Sequence, residues 1–365
     1  MQTSIVIAGG GTGGHVYPGL ALAAAIRERR PDARIVFIGT ARGMEAHAVP
    51  AAGFDLETIA VLPWARTLGA RRFLSPATAL RATVQAARIL RRRRAQVLAS
   101  MGGYASLPAA LAARLLGIPI VVHEQNAIPG RANRIASRFT RRIAVTFAES
   151  ASLLAHAGAA RVTGNPIRAE IATLDRSALR HDALAAFGLK AGKTTILVTG
   201  GSQGAKRLSE AARALAARWA QDDRMQILLI AGRGEARESA GLIREIEFTD
   251  RMNLAYAAAD LVVCRSGAGI MEVAAAGLPA VLIPYPYARD DHQRANARVL
   301  ERAGGALVLD EPAATPERLA ETIGMLVADH AGRERMASAM RAFARPDAAA
   351  DLAAMVLDAA GTRKG

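Results

Sequence analysis

One cysteine, Cys264, stands in 365 residues. That excludes a disulfide framework and a cysteine-rich zinc site, and a reducing, intracellular compartment fits best. Aromatic residues make up only 4% of the chain. Stacking platforms for single-stranded nucleic acid need more than that. Lysine occurs only at positions 190, 193, 206 and 364, so the net charge of +15 rests almost wholly on arginine. A surplus of that sign favours an anionic neighbour: nucleic acid, a phospholipid surface or a phosphorylated substrate. No nucleic-acid recognition motif accompanies the charge, so nucleic acid is not an expected partner. Long apolar runs are missing too. The longest, Ala105 to Val122, carries Pro108, Arg114 and Pro119, whereas a spanning helix needs about 20 mostly apolar residues. The N-terminal apolar run lacks a basic flank and stops at glycines, so it reads as a strand and not as a signal peptide.

At about 100–200 residues per domain, the length favours two domains. Short β-branched runs alternate with longer Ala/Leu/Arg segments. Ser4–Ala8, Ile35–Ile38, Val97–Ser100, Ile118–Val122 and Ile143–Thr146 read as strands in the first half. Thr195–Thr199, Gln226–Ile230, Leu261–Cys264 and Ala280–Pro284 do so in the second. Continuous apolar strands imply sheets covered on both faces. Helices are expected at Pro18–Arg30, Ser75–Arg92, Lys206–Ala220, Gly269–Ala276 and Asp347–Ala360. The alternation predicts an α/β fold of parallel, doubly wound sheets, restarting near residue 195. Gly164-Asn165-Pro166 reads as the linker, because a proline disfavours helix at the residue before it. The expected division is 1–163 and 164–346, with 347–365 packing back on the first domain.

Three strand–helix junctions are built from small residues. Gly9-Gly10-Gly11-Thr12-Gly13-Gly14-His15 follows the first strand. Its glycines let backbone N–H groups approach a ligand, and the helix N-terminus behind favours negative charge. Gly9, Gly11 and Gly14 match the dinucleotide fingerprint formally. That fingerprint also needs an acid after the second strand, which instead ends Gly39-Thr40-Ala41-Arg42, so a dinucleotide oxidoreductase is disfavoured. Gly200-Gly201-Ser202-Gln203-Gly204 and Arg265-Ser266-Gly267-Ala268-Gly269 are the other two junctions, the last leading to Glu272. Two anion-friendly turns in one half suggest a nucleoside diphosphate, with a carboxylate for the ribose hydroxyls. No Asp-x-Asp and no Walker lysine occur. A divalent-metal clamp is therefore not expected, and phosphate neutralisation falls to helix dipoles and arginine.

Taken together, these junctions resemble one family. Gly10-Gly11-Thr12-Gly13-Gly14-His15-Val16-Tyr17-Pro18-Gly19 resembles its first signature. Met101-Gly102-Gly103-Tyr104, His123-Glu124-Gln125-Asn126 and Gly164-Asn165-Pro166-Ile167-Arg168 resemble the next three. Gly200-Gly201-Ser202-Gln203-Gly204, Cys264-Arg265-Ser266-Gly267, and Asp291-His292-Gln293 with Asn296 complete the series. The order is similar to that of the bacterial lipid II-forming N-acetylglucosaminyltransferases, glycosyltransferase family 28. The resemblance runs from residue 4 to about residue 360.

It implies two Rossmann-like domains facing across a cleft, the glycosyltransferase B fold. It implies inverting transfer of N-acetylglucosamine from UDP-N-acetylglucosamine to lipid I, with no metal or other cofactor. Carried over position by position, Ser202 and Arg168 meet the diphosphate region, Glu272 the ribose hydroxyls and Gln293 the transferred sugar. The Thr249 main chain reads uracil. Thr12, Gly13, Gly14 and Asn126 line the acceptor half, Tyr104 forms a wall there, and His123 and Glu124 position the acceptor. Asn296 completes the Gln293 motif. The base is one of His15, His123 and Glu272, with His15 the candidate because imidazole titrates near 6.5. One departure stands out: the family shows Gly-Ala-x-Thr-x-x-Glu, whereas Gly267-Ala268-Gly269-Ile270-Met271-Glu272 is one residue shorter and lacks the threonine. A slip of one helical residue turns a side chain by about 100°.

Residues Val61 to Arg94 mix Trp64, Leu68, Phe73, Leu74 and Leu80 with Arg66, Arg71, Arg72, Arg81 and Arg91–Arg94. Such an element suits an anionic leaflet, so peripheral binding to the cytoplasmic face of the inner membrane is expected. The rival function is a sugar-nucleotide epimerase of the same fold, which would leave this segment and the Gly10–Pro18 block unexplained.

Overall fold

A computed structural model describes residues 2–61, 76–201 and 205–362. Ser202, with Gln203 and Gly204, lies outside the described residues, as do Trp64, Arg66, Leu68, Arg71, Arg72, Phe73 and Leu74. The chain forms two compact units: Met1–Arg168 together with Arg345–Gly365, and Ala169–Ala344.

In the first unit the strands are β1 (Ser4–Ala8), β2 (Arg34–Gly39), β3 (Asp55–Thr58), β4 (Val97–Ser100), β5 (Ile120–Glu124), β6 (Ile143–Val145) and β7 (Ala160–Val162). They form one parallel sheet in the order β3-β2-β1-β4-β5-β6-β7. Every residue of β1 is buried, which explains its unbroken apolar run. Successive side chains point to opposite faces. Ile5 and Ile7 accordingly join a core with Leu22, Ile26, Leu352, Ala353 and Val356. Val6 and Ala8 join another with Ala86, Leu90, Ala109 and Ala113. The helix Ala348–Gly361 thus closes one face of the first sheet, though it lies at the far end of the sequence.

In the second unit β8 (Thr194–Thr199), β9 (Met225–Ile230), β10 (Ile243–Ile246), β11 (Leu261–Cys264), β12 (Ala280–Leu282) and β13 (Ala306–Val308) are again all parallel. Their order is β10-β9-β8-β11-β12-β13. Ile196, Val198, Ile227, Leu229, Val263 and Val281 pack with Leu208, Leu215 and Ile323 from the helices Lys206–Arg218 and Pro316–Ala328. Cys264 is core, and burial pushes its thiol up to about 12.

The structure adds helices the sequence reading did not place, among them Ser106–Leu115, Arg176–Ala186, His292–Arg302, Pro316–Ala328 and His330–Phe343, and corrects it elsewhere. Four strands went unforeseen, β3, β7, β10 and β13, and these are the four edges of the two sheets. An edge strand is solvated along one side, so sequences such as Asp55-Leu56-Glu57-Thr58 show no continuous apolar run. β5 is displaced by two residues, which takes His123 and Glu124 into the strand. The first helix begins at Gly13 rather than Pro18, and Pro18 lies inside it, forgoing the bond to the Gly14 carbonyl.

Candidate active site

Both sheets carry the strand order 3-2-1-4-5-6 of a doubly wound fold, the first with β7 added as a seventh strand. Ligands of such a fold bind beyond the carboxyl ends of strands at the point where the order reverses. In the first unit that point lies between β1 and β4. The connections there are the glycine run Gly9–Thr12 and the turn Met101–Tyr104. In the second unit it lies between β8 and β11, and the connections are the runs after Thr199 and Cys264. The glycine-rich junctions therefore stand where topology places a ligand.

Thr12 is extended, exposed and, among the described residues, makes no side-chain cap, and it leads into the 17-residue helix Gly13–Arg29. The first N–H groups of such a helix have no intrahelical acceptor. The Gly11 N–H is different: it donates to Oε2 of Glu45 at 2.8 Å. Oε1 of Glu45 accepts from the Thr40 N–H at 2.9 Å and the Thr40 hydroxyl at 2.7 Å. Glu45 is 1% exposed. An acid does follow the second strand, but it faces inward and holds the loop, so no carboxylate is offered to a ribose here. A Cβ on Gly10 would lie 2.3 Å from Glu45 Oε1, which accounts for that glycine without invoking a ligand. Gly103, at φ +85, packs on the Gly10 carbonyl, 2.2 Å from where its Cβ would be. The Tyr104 ring lies against Gly11, 3.3 Å from the corresponding position.

Around His15 runs a buried polar chain. Its Nδ1 lies 3.3 Å from Oε1 of Gln125. Gln125 Nε2 donates to the Met101 carbonyl at 2.8 Å and lies 3.1 Å from Nδ1 of His123. His123 Nε2 meets the Gly164 carbonyl at 2.9 Å. Burial, with His15 adding to it, pulls His123 down to about 4 despite the opposing bond to Gly164. Glu124 is equally buried. It accepts from the Asn126 N–H at 2.9 Å, the Gly130 N–H at 3.1 Å and Asn133 Nδ2 at 2.9 Å. Burial raises its carboxyl above the ordinary range, and these bonds oppose the rise. Its work is to shape the turn bearing Asn126. The Arg168 guanidinium lies over the Tyr17 ring, 5.8 Å from its centroid.

In the second unit Ser266 Oγ donates to the Gln293 carbonyl at 2.8 Å, and Asn296 Nδ2 donates to the Ser266 carbonyl at 3.0 Å. Asn296 is fully buried, so it acts by joining the turn after β11 to the helix His292–Arg302. Gln293 Oε1 accepts from the Tyr285 N–H at 2.9 Å, and its Nε2 lies near Gly267, 3.8 Å from the site of a Cβ. Two residues before it, Asp291 and its neighbour Asp290 both hold positive φ, 53° and 52°. In the short turn Gly267–Glu272 the N–H groups of Ile270, Met271 and Glu272 donate to Gly267, Ala268 and Gly269 at 3.1, 3.3 and 3.0 Å. The side chains of Ile270 and Met271 are core, and Gly269 is exposed. Glu272 Oε2 accepts from the Tyr256 hydroxyl at 3.3 Å. Arg265 pairs with Glu311 and donates to the Ile283 carbonyl at 3.1 Å, which holds the base of this turn. Thr249 follows β10, its hydroxyl accepting from the Arg251 N–H at 3.0 Å.

The first unit thus brings together Thr12, Gly13, Gly14, His15, Tyr104, His123, Glu124 and Asn126. The second gathers Ala268, Gly269, Glu272, Gln293 and Asn296. Sequence reading missed Glu45, Gln125, Asn133 and Tyr256. Gln125 stood inside a quoted motif, and glycines at 39 and 43 flank the approach to Glu45. Among the described residues, no group of three or more His, Cys, Asp or Glu side chains is placed to hold a metal ion.

Two Rossmann sheets, each with small-residue turns at its switch point, define a glycosyltransferase B fold. The N-terminal domain of glycosyltransferase family 28 matches residues 5–145, and the C-terminal domain of that family matches residues 195–352. A Streptomyces coelicolor protein named UDP-N-acetylglucosamine--N-acetylmuramyl-(pentapeptide) pyrophosphoryl-undecaprenol N-acetylglucosamine transferase is 42% identical over 367 residues, covering 98% of this chain and 99% of its own. The crystal structure of Acinetobacter baumannii MurG superposes with a TM-score of 0.76 at 29% identity, over 98% of this chain and 100% of that one. A UDP-GlcNAc 2-epimerase from Neisseria meningitidis, solved bound to UDP-GlcNAc, covers 98% of this chain and 100% of its own with a TM-score of 0.69. At 13% identity it shares the fold alone. The chain belongs to glycosyltransferase family 28.

Proposed function

We propose that this protein transfers N-acetylglucosamine from UDP-N-acetylglucosamine to the 4-hydroxyl of the N-acetylmuramoyl-pentapeptide of lipid I, with inversion, forming lipid II. The observation that carries the reading is 42% identity, over 98% of the chain, to a transferase named for that reaction. The first unit binds the acceptor. Its pyrophosphate lies at the N-terminus of the helix Gly13–Arg29, where Thr12, Gly13 and Gly14 offer the first-turn N–H groups. Tyr104 and Asn126 line the sugar. The second unit binds the donor: Thr249 main chain at uracil, Glu272 at the ribose, Gln293 at the sugar and Ser202 at the diphosphate. Arg168, the last residue of the first unit before the chain enters the second, is also assigned to the diphosphate.

His15 takes the proton of the 4-hydroxyl as its oxygen attacks the anomeric carbon, while the bond to the diphosphate breaks and UDP leaves. Two observations favour His15 over its rivals. His123 is 1% exposed with both ring nitrogens engaged, and Glu272 accepts from Tyr256. The departing diphosphate is stabilised by helix N-termini and guanidinium groups, with no metal ion.

The acceptor is lipid-linked, and a peripheral membrane surface accompanies this reading. On the helix Pro76–Arg92, Leu80 is 65% and Val84 40% exposed, with Arg81, Arg88 and Arg91 exposed around them. Arg93 does not share in this surface, being mostly covered and paired with Glu57 and Asp55.

UDP release, measured in EDTA with and without a short-chain lipid I analogue, tests the reading. Release that needs the analogue and survives chelation is expected. Turnover without acceptor would replace the transferase with the epimerase or a hydrolase.

A further inference from the structure

We infer that Gln125 is a positioning residue that sets the tautomer of His15, placing the ring proton on Nδ1 and the lone pair on Nε2. The inference rests on the reading of His15 as the base. Gln125 is fully buried, and its amide can face only one way. Nε2 lies 2.8 Å from the Met101 carbonyl and 3.4 Å from that of His123. Both oxygens only accept, so the reversed amide would set Oε1 against two acceptors. Oε1 therefore faces His15 Nδ1 at 3.3 Å. An amide oxygen cannot donate, so Nδ1 carries the hydrogen. A neutral imidazole has one protonated and one bare nitrogen, and the bare one is then Nε2.

The other side of the same amide treats His123 in the opposite sense. One hydrogen of Nε2 reaches Met101 and the second reaches His123 Nδ1 at 3.1 Å. That nitrogen accepts, so Nε2 of His123 holds its proton and donates to the Gly164 carbonyl at 2.9 Å. One buried amide thus holds two histidines in opposite tautomers. Imidazole in water prefers its proton on Nε2, so the arrangement reverses the intrinsic preference at His15 alone. A base so held carries its lone pair on Nε2, the ring nitrogen opposite the one bonded to Gln125. After proton transfer, the Nδ1–H remains bonded to the amide oxygen, as an imidazolium requires.

The test is long-range proton–nitrogen NMR of the full chain labelled with nitrogen-15 in its seven histidines, at a pH where imidazole is neutral. The His15 signals are assigned by their loss in His15→Gln. We expect the Nδ1–H pattern for His15 and the Nε2–H pattern for His123. A wild-type His15 with Nε2–H overturns the inference, whatever any variant does. In Gln125→Met, His15 is expected to revert to Nε2–H, and kcat to fall about 100-fold, the low end of what a positioned proton-transfer group supplies, with the donor KM unchanged. Gln125→Glu, with its carboxyl protonated so that the O–H replaces Nε2 as donor to the Met101 carbonyl, keeps an accepting oxygen for His15 and is expected to restore the Nδ1–H pattern and part of kcat. Reversion of the tautomer with kcat intact would overturn the positioning role. A His15→Gln enzyme of full activity would overturn the base assignment while leaving the tautomer result in place.

Discussion

The N–H of Gly11 donates to a carboxylate oxygen of Glu45 at 2.8 Å, across 34 residues of chain. A loop whose composition suggests a cradle for ligand phosphate thus hangs in part from an internal anion, and its geometry depends on the acid beneath it. The three nearest atoms to a Cβ on Gly10 all belong to Glu45. Gly10→Ala is therefore expected to cost about 1–3 kcal/mol through overpacking. Glu45→Ala strands the Gly11 N–H and both Thr40 donors, on the order of 3 kcal/mol. The double variant should lose clearly less than the sum, because the second change removes what the first collides with. Urea unfolding of the four proteins measures the cycle, and strict additivity would refute the contact as the cause.

His123 makes stability depend on pH with a definite sign. Its folded value is about 4 against an ordinary 6.5, so between these values the unfolded chain binds the extra proton. Stability from this group is complete above pH 6.5 and is lost as the pH falls toward 4, by about 3 kcal/mol. Glu124 titrates in the opposite sense and is common to both proteins in the comparison. His123→Gln should therefore flatten the acid limb of stability against pH relative to wild type. Parallel curves would show that His123 titrates normally.

Glu272 is held by the Tyr256 hydroxyl at 3.3 Å. If the carboxylate meets the ribose, Glu272→Ala raises the KM for UDP-N-acetylglucosamine about tenfold or more, the worth of a hydrogen bond to a charged group. Tyr256→Phe should raise it by a smaller factor, since it frees the carboxylate without removing it. The acceptor KM should not move in either variant. Donor KM values equal to wild type would take Glu272 out of the site.

The helix Pro76–Arg92 tests the membrane surface. Binding of the protein to vesicles containing anionic phospholipid is expected to weaken with salt, as screening of exposed charge requires. Exchanging Arg81, Arg88 and Arg91 together for Glu should abolish flotation, while Leu80→Ser should weaken it and leave the salt dependence. Flotation indifferent to all three arginines would assign the membrane contact elsewhere.

The sequence by itself determined a great deal here. Buried central strands such as Ser4–Ala8 and Leu261–Cys264 are read with their observed bounds, because a strand covered on both faces has no choice but to be apolar throughout. The small-residue turns were legible for a related reason: only such residues fit where a strand end, a helix start and another loop meet. Motif order carried the family.

What only the tertiary structure decided concerns partners distant in sequence. The four edge strands exist because a neighbouring strand offers bonds, and their own composition does not demand them. Glu45 looks like any helical acid until β1 and β2 lie side by side and bring the Gly9–Thr12 run over it. Gln125 reads as one more polar residue in a motif. Its role appears when β4 and β5 pair, setting the Met101 carbonyl, two imidazoles and one amide within hydrogen-bond reach. Apolar burial writes a periodic signal along the chain, whereas a hydrogen bond between residues 110 apart, as between His15 and Gln125, leaves none.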